Sequence, residues 1–251
     1  MPNCFKTYAT AFDDPLAHSF SPAYFKKKFT EHHVDAVYKP YSIASVDEFP
    51  NLLDSNPDIE GLNVTIPYKE TIIPFLDEMD IVAKEVSAVN CISIKNGRKK
   101  GYNTDVAGFE QSLISLLAPQ HTHALILGTG GSSKAVAYVL KQLGIRYQKV
   151  SGSKQQGSLA YDELTDDVVA TNKLIINTTP VGQYPDAHNA PGIPYNGITA
   201  HHLLYDLIYN PEETMFLQKG KERGAAIKNG FEMLQLQAEA SWQIWNGQPT
   251  V

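Results

Sequence analysis

The chain has 251 residues, 43% of them hydrophobic, enough to bury a sizeable core and to divide into two domains. Its net charge is −6 and it carries no clustered stripe of Lys and Arg, which excludes a nucleic-acid backbone binder; Lys26-Lys27-Lys28 is read as the solvated face of a helix. No apolar run reaches the roughly 18 to 20 residues that span a bilayer, no signal peptide is visible, and two cysteines, Cys4 and Cys91, fit free thiols, so a cytoplasmic location is expected.

In chain order, strands and helices alternate. Tyr8-Ala9-Thr10 opens a first strand, and "SPAYFKKKFTEHH" has helical spacing, with Ser21 and Pro22 at its start. "DAVYKPYSI" is predicted as a strand, "SVDEFPNLLDSN" as a helix and "IEGLNVTI" as a third strand. "YKETIIPFLDEMDIVAKEVSA" is helical in pattern, interrupted at Pro74. "AVNCISIKNGRKKGYNTD" is predicted as a hairpin turning at Asn96-Gly97. A helix over about 106–118 leads to the strand "HALILG", a Gly-rich turn and the helix "SSKAVAYVLKQLG". "QKVSGS", "KLIINTT" and "HLLYDLIY" are further strands. This alternation predicts an α/β fold: a mixed-sheet domain over 1–105, a Rossmann-type doubly wound parallel-sheet domain over 106–228, and a C-terminal helix over 229–251 that packs back on the first domain.

Two stretches carry chemistry. In "ALILGTGGSSKAVAYVL" an apolar strand runs into Gly128-Thr129-Gly130-Gly131, and a helix starts near Ser132. Glycines there let the backbone approach a pyrophosphate, and the helix N-terminus favours its charge. The third glycine of the usual fingerprint is replaced by Ser133, so the match is imperfect, and a tight turn without a ligand is the alternative. After the next strand come Ser151, Ser153 and Lys154 rather than an acid, which favours the 2′-phosphate of NADP over NAD. The second stretch is "GLNVTIPYKE", a strand that carries Asn63 and Thr65 and ends at Lys69. With Asp105 of "GYNTD", Lys69 forms a candidate acid–base pair beside the cofactor, in a crevice between the domains. Read singly, Lys69 is equally a surface lysine, and Asp105 a helix cap.

Eight blocks, in order, make the chain resemble the shikimate/quinate dehydrogenase family: "HSFSP", "GLNVTIPYKE", "SAVNCI", "GYNTD", "GTGGSSKA", "INTTPVG", "YDLIYNPEETMFL" and "NGFEMLQLQAEASWQIWNG". The resemblance implies reversible, NADP-dependent reduction of 3-dehydroshikimate to shikimate. It implies that Ser19 and Ser21 bind the substrate carboxylate, and that Thr65, Lys69, Asn90, Asp105, Tyr209 and Gln237 surround the ring, with Lys69 and Asp105 catalytic. Gly128, Thr129, Gly130, Gly131, Ser132, Ser151, Ser153, Lys154, Asn177, Thr178, Leu207 and Gly230 are the implied cofactor residues. Asn63 is expected to brace the substrate wall, and Trp242 and Trp245 to pack in the core.

The chain also departs from the family pattern. Gly152 stands where many members have an arginine that clamps the 2′-phosphate, Cys91 where threonine is commoner, and Ser87 where glycine is. Gly152 keeps alive a second reading, a quinate or dual quinate/shikimate dehydrogenase using NAD. A third is an inactive ligand sensor on the same fold, which has no need of a Lys69–Asp105 pair. The histidines lack companions at zinc-ligand spacing, so no metal is expected. The other expected partner is the small-molecule substrate, and the protein is expected as a monomer or homodimer.

Overall fold

The computed structural model describes residues 6–12, 20–153 and 156–248, and the chain divides into two compact units. One unit joins Met1–Thr104 to Gln237–Val251; the other is Asp105–Leu236.

In the first unit the elements are β1 (Lys6–Phe12), α1 (Phe20–Glu31), β2 (Ala36–Ser42), α2 (Phe49–Ser55), β3 (Ile59–Val64), α3 (Tyr68–Thr71), β4 (Glu78–Met79), α4 (Ile81–Val86), β5 (Cys91–Lys95) and β6 (Arg98–Tyr102). Their described strands form one mixed sheet in the order β2-β1-β3-β5-β6-β4. β1 lies parallel to β2 and β3, while β5 is antiparallel to both of its neighbours. β3 is therefore a central strand, and Ile59, Gly61, Leu62 and Val64 are buried.

The stretch from Tyr68, expected as helical with an interruption at Pro74, is a chain of short pieces. α3 stops at Thr71, a tighter turn spans Ile73–Phe75, and β4 pairs with β6 before α4 begins. Pro74 has no N–H to continue a helical ladder. Asp77 then bonds to Lys99 through both its backbone amide (3.0 Å) and its carboxylate (2.6 Å), drawing the chain onto the sheet edge. The Asp80 carboxylate accepts from the Ala83 amide and restarts a helix. The apolar spacing was real: Ile72, Leu76, Met79 and Ala83 all pack into one core, reached by a different backbone path. α4 ends on Ser87 at φ +55°, a left-handed conformation that glycine adopts more easily.

In the second unit come α5 (Thr104–Ile114, whose first residue ends the first unit), β7 (His123–Leu127), α6 (Gly131–Gln142), β8 (Arg146–Ser151), β9 (Ser158–Ala160), α7 (Asp166–Thr171), β10 (Leu174–Asn177), β11 (Leu203–Asp206), α8 (Met215–Glu222) and β12 (Ala226–Lys228). The described strands form an all-parallel sheet ordered β12-β11-β10-β7-β8-β9. Read from β9 this is the 3-2-1-4-5-6 order of a dinucleotide-binding sheet. β9 and β12 are too short, at three residues each, to show a period in sequence. The central strands β10 and β11 are wholly buried, as their unbroken apolar runs predict. The last helix, α9 (Phe231–Trp245), begins in this unit and from Gln237 belongs to the first. No described helix is long and apolar enough to cross a membrane.

Two buried histidines tie this unit's stability to pH. The His202 Nδ1 accepts from the Thr199 amide at 3.0 Å, and its Nε2 lies 3.0 Å from the Val169 carbonyl, which fixes the neutral Nε2–H tautomer. Burial lowers the pKa of both His202 and His121. A folded pKa below the unfolded value means that the stabilisation is complete above about 6.5 and is lost as pH falls through the folded values. Lowering pH from about 7.5 to about 5.5 is expected to lower Tm, and His202→Gln to flatten that dependence. Calorimetry at several pH values checks this; equal slopes in both proteins would contradict it.

Candidate active site

Of the expected substrate residues, Ser21, Thr65, Lys69, Asn90 and Gln237 belong to the first unit, where β3 meets the second half of α9, while Asp105 and Tyr209 belong to the second. Gly61 and Asn63 project from the same face of β3 because side chains alternate along a strand. Ser241 and Trp245, four residues apart, share one face of α9. The two spacings match: two strand residues advance about 6.6 Å and one helical turn about 5.4 Å. A Cβ on Gly61 would lie 2.4 Å from Trp245 Nε1, so the indole occupies the notch that a missing side chain leaves. That indole donates to the Ile92 carbonyl at 3.0 Å and stacks on Tyr8, with ring centroids 4.8 Å apart. The Asn63 amide donates to Ser241 Oγ at 2.9 Å. One step further along each element stand Thr65 and Gln237.

Asn63 is the centre of a wider network. Its Oδ1 accepts from the Tyr38 hydroxyl at 2.9 Å. Burial holds the Tyr38 phenol well above its ordinary pKa, so it remains a neutral donor. Asn90, 3% exposed, clasps Thr104: its Oδ1 accepts from the Thr104 amide at 2.6 Å, and its Nδ2 donates to Thr104 Oγ1 at 2.9 Å. Thr104 Oγ1 is 3.4 Å from both Gln237 Oε1 and Ser241 Oγ. The Asn103 amide donates to the Ala88 carbonyl at 2.9 Å. The Val89 amide donates to the Lys69 carbonyl at 2.7 Å, so the residue preceding Asn90 anchors α3, which carries Lys69. Asp105 follows Thr104 directly, in the first turn of α5, and is 6% exposed. Asn63, the polar residue inside β3, is therefore bonded to Ser241 and to the Asn90 carbonyl, and so underlies a wall built from Asn90, Thr104, Ser241 and Gln237.

The described members of the expected cofactor set lie at or after the C-terminal ends of β7, β8, β10, β11 and β12. Gly128, at φ +111°, follows β7; a Cβ there would lie 2.6 Å from Thr178 Oγ1, which itself donates to the Leu127 carbonyl at 2.7 Å. The Gly128 and Thr178 loops therefore pack flush, a closeness that only glycine allows. Gly130 precedes α6 with no side-chain cap, and a Cβ there would meet nothing within 4 Å, leaving room for a ligand against the helix start. A cavity of about 340 Å³ opens beside this turn, lined by Gly128, Thr129, Ser151, Gly152, Tyr161 and Thr179 among others. These features fit a dinucleotide: glycine-bounded backbone for phosphates, and a half-open cavity beside the end of β8 for an adenosine. Leu207 and Gly230 also meet, since a Cβ on Gly230 would lie 2.0 Å from the Leu207 carbonyl oxygen. Tyr209 is part-buried, which raises its pKa.

Ser19 and Lys154 lie outside the described residues, as do Cys4 and His18. Sequence reasoning missed Tyr38 and Ser241, whose roles come from a register between elements distant in the chain. It also missed Tyr161, Val181 and Ala190-Pro191-Gly192 of the cavity, most of which sit in loops without a periodic signal. No group of three or more metal-ligating side chains occurs among the described residues.

Residues 12–92 match the family model "Shikimate dehydrogenase substrate binding domain". Over 252 residues the chain is 36% identical to the shikimate dehydrogenase (NADP(+)) of Methanosphaera stadtmanae, covering 93% of this chain and 89% of that protein. Among solved structures, it resembles shikimate 5-dehydrogenase from Thermus thermophilus in complex with NADP(H) and shikimate, with a TM-score of 0.86, 27% identity, and 98% and 95% of the two chains covered. It also resembles quinate dehydrogenase from Corynebacterium glutamicum in complex with NAD, with a TM-score of 0.84, 26% identity, and 97% and 94% covered.

Replacing Asn63 with alanine leaves Tyr38 Oη and Ser241 Oγ without this partner. The expected cost is about 1–3 kcal/mol of unfolding free energy, measured by urea titration. A loss below about 0.5 kcal/mol, the range of a neutral surface change, would remove Asn63 from the foundation of the wall.

Proposed function

The chain belongs to the shikimate dehydrogenase family, and on that premise we propose that it catalyses the NADP-dependent, reversible reduction of 3-dehydroshikimate to shikimate in the cytoplasm. The observation that carries this reading is the clasp of Asn90 on Thr104. Through it the backbone of Lys69, by way of Val89, and the residue before Asp105 are tied to one point of the wall.

NADP, when bound, supplies or accepts the hydride; Gly128–Ser132, Ser151, Ser153, Asn177, Thr178, Leu207 and Gly230 are the described residues proposed to hold it, with Lys154 as a further one. Lys69 and Asp105 handle the accompanying proton. On reduction the Lys69 ammonium gives a proton to the oxygen that was the ketone, and on oxidation the neutral amine takes it back, with Asp105 stabilising the charged form. Ser19 and Ser21 offer hydroxyl donors to the carboxylate. Thr65, Asn90 and Gln237, with Tyr209, pair with the ring hydroxyls, so that a ring lacking one of them leaves a buried partner unmet. The wall is bonded before substrate arrives, so little ordering is left to binding.

A second reading follows from Gly152 at the end of β8. No guanidinium stands there to clamp a 2′-phosphate, and Ser151, buried, accepts from the Ser153 amide at 3.4 Å in a local turn. Quinate oxidation with NAD is the alternative; steady-state rates with both acids against both cofactors separate the two, and a higher kcat/KM for quinate with NAD would reverse the assignment.

Two substitutions test the roles. Lys69→Ala is expected to lower kcat by roughly 10² to 10⁴ with a smaller change in substrate affinity, and wild-type turnover would refute the role given to Lys69. A Cβ at Gly152 meets nothing within 4 Å, so Gly152→Arg can be accommodated. It is expected to raise the NADP-over-NAD ratio of kcat/KM by roughly tenfold to a hundredfold, the worth of a hydrogen-bonded charge on phosphate. An unchanged ratio would mean that the 2′ position lies elsewhere.

A further inference from the structure

Asp206, the last residue of β11, is a fully buried carboxylate whose partners are three neutral donors from three different segments. Its Oδ1 accepts from Asn177 Nδ2 at 3.0 Å and from the Ile208 amide at 3.1 Å; its Oδ2 accepts from Thr214 Oγ1 at 2.6 Å. Asn177 ends β10 and, like Asp206, is fully buried. The Asn177 Oδ1 accepts from both the amide (3.0 Å) and the hydroxyl (2.7 Å) of Thr179, and its Nδ2 lies 3.3 Å from the Val181 carbonyl. Thr179 and Val181 line the cavity. On the other side, the Leu207 amide donates to the Asn177 carbonyl at 3.0 Å, and the Gly230 amide donates to the Ile208 carbonyl at 3.0 Å.

A buried anion with only neutral donors is a costly choice for holding a fold together. Desolvation pushes the Asp206 carboxyl up to about 6, against the pull of Thr214, the Ile208 amide and Asn177. At neutral pH it is still the ionised acceptor, able to serve three donors at once. Its charge is felt by Tyr195, whose pKa is raised by burial and then by Asp206. A neutral residue could cap α8 as well, and Thr214 already does so, accepting from the Leu217 amide at 3.4 Å. What a neutral residue cannot do is accept from the ends of two strands and a helix cap together.

We propose that Asp206 is a positioning residue for the dinucleotide: by drawing Asn177, Ile208 and Thr214 onto one carboxylate it fixes the loop after β10, which walls the adenosine cavity, against the loop after β11, which carries Leu207. Asp206 touches no cofactor atom and acts through Asn177 and the Ile208 amide. The inference rests on the reading of this unit as a nicotinamide dinucleotide site.

The test uses the intact protein and its fluorescence-monitored binding of NADPH and NADH, with steady-state kinetics alongside. Asp206→Asn and Thr214→Val are expected to weaken NADPH binding about tenfold and about threefold to tenfold, respectively. In both, KM for NADPH rises while kcat stays within about twofold and KM for the acid substrate is unchanged; Thr214→Ser, which keeps the hydroxyl, restores wild-type affinity. Folded Asp206→Asn or Thr214→Val protein with wild-type NADPH affinity would overturn the proposal. So would a fall in kcat at constant KM, the mark of a reduced active fraction. If Asp206→Asn does not fold, Thr214→Val decides; if that too fails while Thr214→Ser folds, the bond holds the fold rather than the loops, and the proposal fails. Wild-type protein that binds neither NADPH nor NADH would instead sink the dinucleotide reading beneath it.

Discussion

The match in spacing between a strand and a helix is the constraint on which the first unit depends. Successive outward positions of β3 meet successive turns of α9: Gly61 against Trp245, then Asn63 against Ser241. The first rung is apolar and steric, since only glycine leaves room for the indole. The second is polar and directional. The step after these is where Thr65 and Gln237 stand, beyond the end of the strand, and that is where the proposed substrate ring begins. A helix from the far end of the chain can deliver Gln237 to the wall only because the indole fixes both its depth and its rotation.

This arrangement accounts for polar residues in a central strand. A part-buried amide inside a sheet is best tolerated when its donors and acceptors are used. Asn63 meets that condition with Tyr38, Ser241 and the Asn90 carbonyl, the last at 3.4 Å. Those same bonds then hold Asn90 and Ser241 where they meet Thr104. Stability and recognition share side chains here, which is why the wall cannot be divided into a structural and a functional layer. In the second unit the same economy appears at Asp206 and Asn177, where a buried charge on β11 is bonded to β10, whose following loop borders the cavity.

Much of the fold was legible in the sequence because its signals are local. The unbroken apolar runs of β10 and β11, the Asn96-Gly97 turn and the glycines after β7 each announce themselves within a few residues. Of the proposed residues, Lys69 and Asp105 were legible as a candidate pair, each with an equally good ordinary reading as a surface lysine or a helix cap, and Asn90 and Gln237 only through the resemblance. The stretch after Tyr68 misled for a physical reason: its apolar spacing suits a helix, while Pro74 and the bonds of Asp77 to Lys99 divert the backbone onto a sheet edge. Tyr38 and Ser241 were invisible, because their part in the site exists only after β2, β3 and α9 have met.

The most direct test is a crystal structure of the protein grown with shikimate and NADP⁺. The ring should sit on the step beyond the Asn63–Ser241 rung, with its hydroxyls within hydrogen-bonding distance of Thr65, Lys69, Asn90, Asp105 and Gln237. Shikimate bound away from that step, or a ring whose hydroxyls face neither Lys69 nor Asp105, would contradict the account.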